Sequence, residues 1–150
     1  MATEGKVFYT GLFRHTLDDK GRLTIPSAWR HAHAAEETFL ATPHPDGYVA
    51  VLPPKEVDLL HAKISGLKMS DAKAQTFAAR FFSQTQDFSF DKAGRIGLSA
   101  ELLRHAGIEK DAVLVGTLTK FNIYNPARWQ QEEARASGEH FGDLMRQMDI

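Results

Sequence analysis

Two aspartate–arginine pairs carry the most chemistry in this chain: Asp18 stands four residues before Arg22, and Asp91 four before Arg95. Each lies in the pattern D-x-x-G-R-apolar-x-apolar, as Asp18-Asp19-Lys20-Gly21-Arg22-Leu23-Thr24-Ile25 and Asp91-Lys92-Ala93-Gly94-Arg95-Ile96-Gly97-Leu98. An aspartate at the head of a turn accepts hydrogen bonds from turn amides, and Gly21 or Gly94 supplies the left-handed backbone that closes it. The arginine then begins a strand at the turn. Its guanidinium fork suits phosphate oxygens or a guanine edge, and a two-stranded ribbon fits the major groove of duplex DNA. The alternative role is an ion pair that only stiffens the turn. Both roles are compatible, because the carboxylate can orient an arginine that reads DNA. Lys20 and Lys92 add a cation to each tip, and Arg14, His15 and Arg30 flank the first.

Other chemistries find little support. The absence of cysteine excludes disulfides, thiolate metal sites and cysteine nucleophiles. His31-x-His33, with Glu36 and Glu37 nearby, places two imidazoles on diverging sides of a helix, and no further ligand spacing accompanies them. Asp18 and Asp19 are adjacent and diverge, which argues against an acid–base pair. There is no G-x-S-x-G, P-loop or dinucleotide-binding glycine fingerprint. We therefore expect no enzyme activity, cofactor, metal or small-molecule substrate.

The net charge of −1 means that any basic footprint must be local. Residues 1–60 carry six Lys/Arg against eight Asp/Glu, residues 61–100 six against three, and residues 101–150 six against eight. No apolar run approaches the 18 or so residues of a membrane span, and Met1–Lys6 has no signal-peptide character. A cytoplasmic protein is the expectation.

The elements that must position the two pairs come from an internal repeat. The motifs are offset by 73 residues, and the same ungapped offset places Tyr48 on Phe121, Pro53 on Pro126 and Leu40 on Val113. Each copy reads β-turn-β-α-β-turn-β. In copy one, Leu12–Leu17 and Arg22–Ile25 form a hairpin, a short helix starts near Pro26, and strands Thr38–Thr42 and Tyr48–Leu52 follow. In copy two the hairpin is Asp87–Phe90 with Arg95–Leu98. A helix capped by Ser99 then runs to Gly107, before strands Ala112–Gly116 and Phe121–Tyr124. Leu23 with Ile25, and Ile96 with Leu98, share an inward face. Proline signals open closing helices over Lys55–Ile64 and Ala127–Ala136. The spacing of Ala74, Phe77, Ala78 and Phe81 predicts a packing helix over Asp71–Phe82, capped by Ser70. Phe77, Phe81, Phe82, Phe88 and Phe90 are expected in the core. Phe141, Leu144 and Met145 stand at helical spacing beyond Gly138.

Gly11, Thr16-Leu17-Asp18-x-Lys20-Gly21-Arg22-Leu23-x-Ile25-Pro26 and Arg30 resemble the first half of MraZ-family proteins. Asp91-x-x-Gly94-Arg95-Ile96, Leu102, Val115-Gly116 and Phe121-x-Ile123-Tyr124-x-Pro126-x-x-Trp129 resemble the second. The departures concentrate in copy two: Ala93 with the lysine moved to Lys92, Gly97, Ser99 and Asn122. The resemblance implies an α+β, β-rich pseudo-twofold barrel made of two AbrB-like swapped-hairpin halves with flanking helices, the halves spanning residues 12–59 and 85–128. It also implies a homo-oligomeric closed ring and a nucleoid-associated transcriptional regulator. Such a regulator binds repeated double-stranded DNA sites in the promoter of the division and cell-wall gene cluster. DNA contact is then expected from Arg14, Lys20, Arg22, Arg30, Lys92 and Arg95, with Asp18, Gly21, Asp91 and Gly94 as the structural frame. The competing reading is an oligomeric or antitoxin-like protein-interaction scaffold with weak DNA affinity.

Overall fold

The computed structural model describes residues 7–30, 33 and 36–150. In chain order the elements are β1 (Leu12–Thr16), β2 (Arg22–Thr24), β3 (Phe39–His44), β4 (Tyr48–Leu52), α1 (Pro54–Ser65), α2 (Ala72–Ser83), β5 (Gln86–Phe88), β6 (Arg95–Gly97), α3 (Ala100–Ala106), β7 (Asp111–Gly116), β8 (Phe121–Tyr124), α4 (Pro126–Arg135) and α5 (Glu139–Gln147). The fold is α+β. Six antiparallel strands form one sheet in the order β1-β7-β8-β4-β3-β5, and β2 pairs with β6 in a separate two-stranded ribbon.

This pairing corrects the expected hairpins. After each Asp-x-x-Gly turn the two flanking strands part instead of forming a ladder with each other. β1 pairs with β7, setting Phe13 opposite Leu114 and Arg14 opposite Val113. β5 pairs with β3, setting Gln86 opposite Ala41 and Asp87 opposite Leu40. β2 pairs with β6, setting Leu23 opposite Ile96. Adding 73 to one member of each pair and subtracting it from the other turns the first register into the second and the third into itself. The reason is burial. Leu23, Ile25 and Ile96 are fully or almost fully buried, and a three-residue strand can hide its inward side chain only against the matching strand of the other copy. The outer strands β1 and β5 pair instead with β7 and β3, at the two edges of the sheet.

The core lies between these layers. Trp29, Phe39, Phe121, Leu23, Ile25 and Ile96 are among its largest fully buried side chains. Trp29 meets Phe13 edge-on with ring centres 5.2 Å apart and lies 4.8 Å from Phe121. Large-to-small changes of a buried aromatic cost about 3–5 kcal/mol. Beside Trp29, the Tyr9 hydroxyl lies 2.5 Å from His33 Nε2, and His33 Nδ1 lies 2.6 Å from the Glu37 carboxylate. The imidazole bridges the phenol and the carboxylate through its two ring nitrogens. Burial, with Glu37 adding to it, pushes the Tyr9 phenol well above its ordinary range, which keeps it a donor. His33 is thus tied into the structure, and its expected neighbour His31 lies outside the described residues.

Other boundaries moved for local reasons. A single 3-10 turn, Ser27–Trp29, stands at the expected first helix, with Pro26 as its cap. Asp71, not Ser70, caps α2 by accepting from the Ala74 amide at 3.1 Å. Ser99 caps α3 as expected, and Gly107 ends it in the left-handed conformation at φ 64°. α2 is less of a packing helix than its periodicity implies: it buries no residue, and Phe77 remains 54% exposed. Of the aromatic run, Phe88 and Phe90 pack against the core. The segment beyond Gly138 is helical as α5.

Candidate nucleic-acid interface

The two Asp-x-x-Gly-Arg turns adopt one geometry. Asp18 Oδ1 accepts from the Lys20 amide at 2.9 Å and the Arg22 amide at 2.8 Å, while Oδ2 accepts from Arg22 Nε at 2.7 Å. Asp91 Oδ1 accepts from the Ala93 and Arg95 amides, each at 2.9 Å, and Oδ2 accepts from Arg95 Nε at 2.9 Å. The Gly21 and Gly94 amides donate to the Asp18 and Asp91 carbonyls, and both glycines are left-handed, at φ 73° and 75°. Aspartate is required because its short side chain reaches two turn amides and a guanidinium at once. The Arg22 amide is the main influence holding the Asp18 carboxyl below its ordinary range, with the Arg22 side chain and the Lys20 amide adding to it against partial burial. The Arg95 amide does the same for Asp91, helped by the Arg95 side chain and the Ala93 amide.

The β2–β6 ribbon brings the two turns together. Alternation sends Leu23 and Ile96 inward and leaves Arg22, Thr24, Arg95 and Gly97 on the opposite face. On that face Arg22 stands across from Gly97 and Arg95 across from Thr24. Both side chains are about one-third exposed. Each donates Nε to its own aspartate, which ties the guanidinium to the turn. Arg95 Nη1 also lies 3.7 Å from Asp18 Oδ2, so one carboxylate addresses both arginines.

Arg30 joins this cluster from the other side. Its Nε donates to the Ile25 carbonyl at 2.8 Å, and its guanidinium lies over Gly94, where a Cβ would collide with it. It is therefore a half-buried support of the second turn as well as a cation beside it. Lys20 and Lys92 are exposed on the two turns, and Arg14 is exposed on β1, the edge strand that leads into the first turn. The five cations Lys20, Arg22, Arg30, Lys92 and Arg95 face three carboxylates, Asp18, Asp19 and Asp91, so the tips are locally basic on a chain of net charge −1.

Two residues of this surface escaped the sequence reading. Thr24 is the exposed polar side chain between the arginines, and strand alternation from Leu23 was the signal for it. Gln86 clamps the ribbon to the sheet: its Nε2 donates to the Gly97 carbonyl at 2.5 Å, and its Oε1 accepts from the Ser99 amide at 2.8 Å. No local pattern marks that role, because it depends on the exchanged strands. Among the described residues no group of three or more His, Asp or Glu side chains comes together to hold a metal, and no helix is long and apolar enough to cross a membrane.

Comparison with known proteins agrees with the motifs. The family described as MraZ protein matches residues 81–148. A protein of Natranaerobius thermophilus named "Transcriptional regulator MraZ" is 32% identical over 144 residues, which cover 95% of this chain and 99% of that one. Proteins of the same name from Pediococcus pentosaceus and Desulfitobacterium hafniense are 36% and 38% identical, covering 91% and 86% of this chain and 93% and 92% of theirs. With identity at this level along nearly the whole length, and both Asp-x-x-Gly-Arg turns built alike, this chain belongs to the MraZ family.

Proposed function

We propose that the chain is a sequence-specific DNA-binding transcriptional regulator whose reading surface is the outer face of the β2–β6 ribbon. The observation that carries this is the pair of carboxylate-oriented arginines, Arg22 and Arg95, on one exposed face of a two-stranded ribbon. A ribbon of this kind fits the major groove, and an arginine fork on guanine is the commonest specific base contact. Lys20, Lys92 and Arg30 supply phosphate contacts around it, and Arg14 extends the basic strip along β1. Asp18, Gly21, Asp91 and Gly94 hold the turns in shape.

Residues 12–59 and 85–128 act as two AbrB-like swapped-hairpin halves, related by the 73-residue offset and closed into a barrel-like body. One protomer makes few contacts. A closed homo-oligomeric ring lines up several ribbons along repeated promoter sites, and such avidity adds 10²–10⁴-fold. The targets are the repeats upstream of the division and cell-wall gene cluster, which places the protein in the cytoplasm on the nucleoid.

The second reading is an interaction scaffold, antitoxin-like, with weak DNA affinity; the overall charge of −1 favours it. The discriminating experiment titrates the protein with the duplex upstream of its own gene, and with a scrambled duplex, at several salt concentrations. The regulator binds the upstream duplex far more tightly, in proportion to intact repeats. Its affinity falls steeply with salt, by a slope of about 0.9 per neutralised phosphate. Equal, weak binding to both duplexes supports the scaffold.

A further inference from the structure

The two halves close differently, and the difference leaves complementary surfaces. α1 lies over β3 and β4, and a cleft beside it is lined by Leu40, Val57, Leu60, His61, Ile64 and Phe82. Neither α1 nor α2 fully buries a residue, so the apolar lining of this cleft is only partly covered within the chain. In the second half, the positions 73 residues on from Val57, Leu60 and Ile64 are Gln130, Glu133 and Ser137, so α4 offers no such stripe. At the other end of the chain α5 also buries no residue. Phe141, Met145 and Met148 follow each other along one side and are 51%, 39% and 64% exposed, with Ile150 at 85%.

The surfaces match in length and charge. Val57 to Ile64 and Phe141 to Met148 each cover eight residues, about 10 Å of helix from first to last. Residues 54–83 carry five cations, Lys55, Lys63, Lys68, Lys73 and Arg80, against Glu56, Asp58 and Asp71. Residues 139–150 carry Glu139, Asp143 and Asp149 against Arg146. The cleft is thus set in a basic surround and the helix in an acidic one.

We infer that α5 of one copy of this chain seats Phe141, Met145 and Met148 in the α1–α2 cleft of the next copy. The contact is head-to-tail: each copy gives one helix and receives another, which builds rings or open filaments rather than twofold dimers. The inference rests on the ring reading and names the surfaces that would close it. It also leaves the ribbon arginines unengaged, so assembly and DNA reading use separate parts of the chain.

The test uses full-length chains. Phe141→Glu with Met145→Glu spoils the helix at exposed positions, and His61→Glu with Leu60→Glu spoils the cleft. Native mass spectrometry and sedimentation read the assembly, and thermal unfolding checks that each variant is folded. The expected result is a multimer for the unmodified chain, at least a tenfold weaker association for each variant alone, and a discrete dimer when the two are mixed. In that dimer the intact helix of one sits in the intact cleft of the other. If the helix variant keeps the mass of the unmodified multimer, the inference is overturned while the ring stands. Two folded monomeric variants that fail to pair on mixing overturn it as well. An unmodified chain that is monomeric at micromolar concentration overturns the ring reading and the inference together.

Discussion

Residues 18–25 and 91–98 make the same turn, with aspartate bonds that match atom for atom, but their surroundings differ. Gly21 has open space where a side chain would begin, whereas Gly94 is roofed by the Arg30 guanidinium. The first half closes its core with Trp29, and the second places Leu102 at the matching position. Arg14 in the first half becomes Asp87 in the second, and Lys20 becomes Ala93. The two segments share the geometry that builds the ribbon while the charges around them differ. The first half holds more of the cationic surface, and through Arg30 it also supports the second half's turn.

The largest test of this contrast is in the core. Trp29→Ala is expected to cost about 3–5 kcal/mol in urea unfolding and Leu102→Ala less, toward the low end of about 2–5 kcal/mol, because each leaves a cavity and Trp29 leaves the larger. Equal costs would mean that the two halves are closed equally well.

Next come the turn glycines. Both are left-handed, so alanine at either costs about 1–2 kcal/mol. Gly94→Ala must also displace Arg30 from the Ile25 carbonyl, which adds about 1–2 kcal/mol. In an Arg30→Ala background the excess for Gly94→Ala should disappear, and unfolding of the four chains of that cycle measures it. An excess that persists without Arg30 would contradict the roofing contact.

DNA affinity separates the halves by a similar amount. Arg22→Ala should lose about 1–3 kcal/mol of preference for the upstream duplex, and Lys20→Ala should lower the salt slope by about 0.9. Lys92→Ala should do the same if the second tip also touches phosphate. An unchanged slope would assign DNA contact to the first half alone.

The smallest effect is on pH. Both motif carboxyls sit below their ordinary range in the folded chain. Each therefore contributes stability above the unfolded value near 3.9, and that contribution is lost as pH falls through the lower folded value. Acid unfolding followed below about pH 4 should be shallower in Asp18→Asn and in Asp91→Asn. The change should be similar in the two, because the same set of amide and guanidinium bonds lowers both carboxyls. Parallel acid profiles in all three chains would remove the carboxylates from the stability of the turns.

Much of this was readable from residue order. Turn chemistry at Asp18–Gly21 and Asp91–Gly94, the inward faces of Leu23 and Ile96, the Ser99 cap and the Gly107 stop all depend on neighbours within a few positions. Partner choice does not. Leu12–Leu17 and Arg22–Ile25 look like a hairpin because a tight turn joins them, and only the joint burial of Leu23 against Ile96 from the other copy decides that they part. The roofing of Gly94 by Arg30 and the Gln86 clamp were hidden for the same reason, since each spans the exchanged strands. Phe77 misled in the opposite direction: helical spacing marks a face as apolar but cannot say that the same chain covers it.

The central claim is that the ribbon's outer face reads DNA through arginines that its carboxylates orient. The most direct measurement compares the unmodified chain, Arg22→Ala and Arg95→Ala in equilibrium titrations with the upstream duplex, alongside native mass for each. The predicted result is a tenfold or greater loss of affinity for Arg22→Ala, a smaller loss for Arg95→Ala, and one assembly mass throughout. Undiminished affinity in the Arg22→Ala chain at unchanged mass would contradict the claim, as would loss of affinity only through collapse of the assembly.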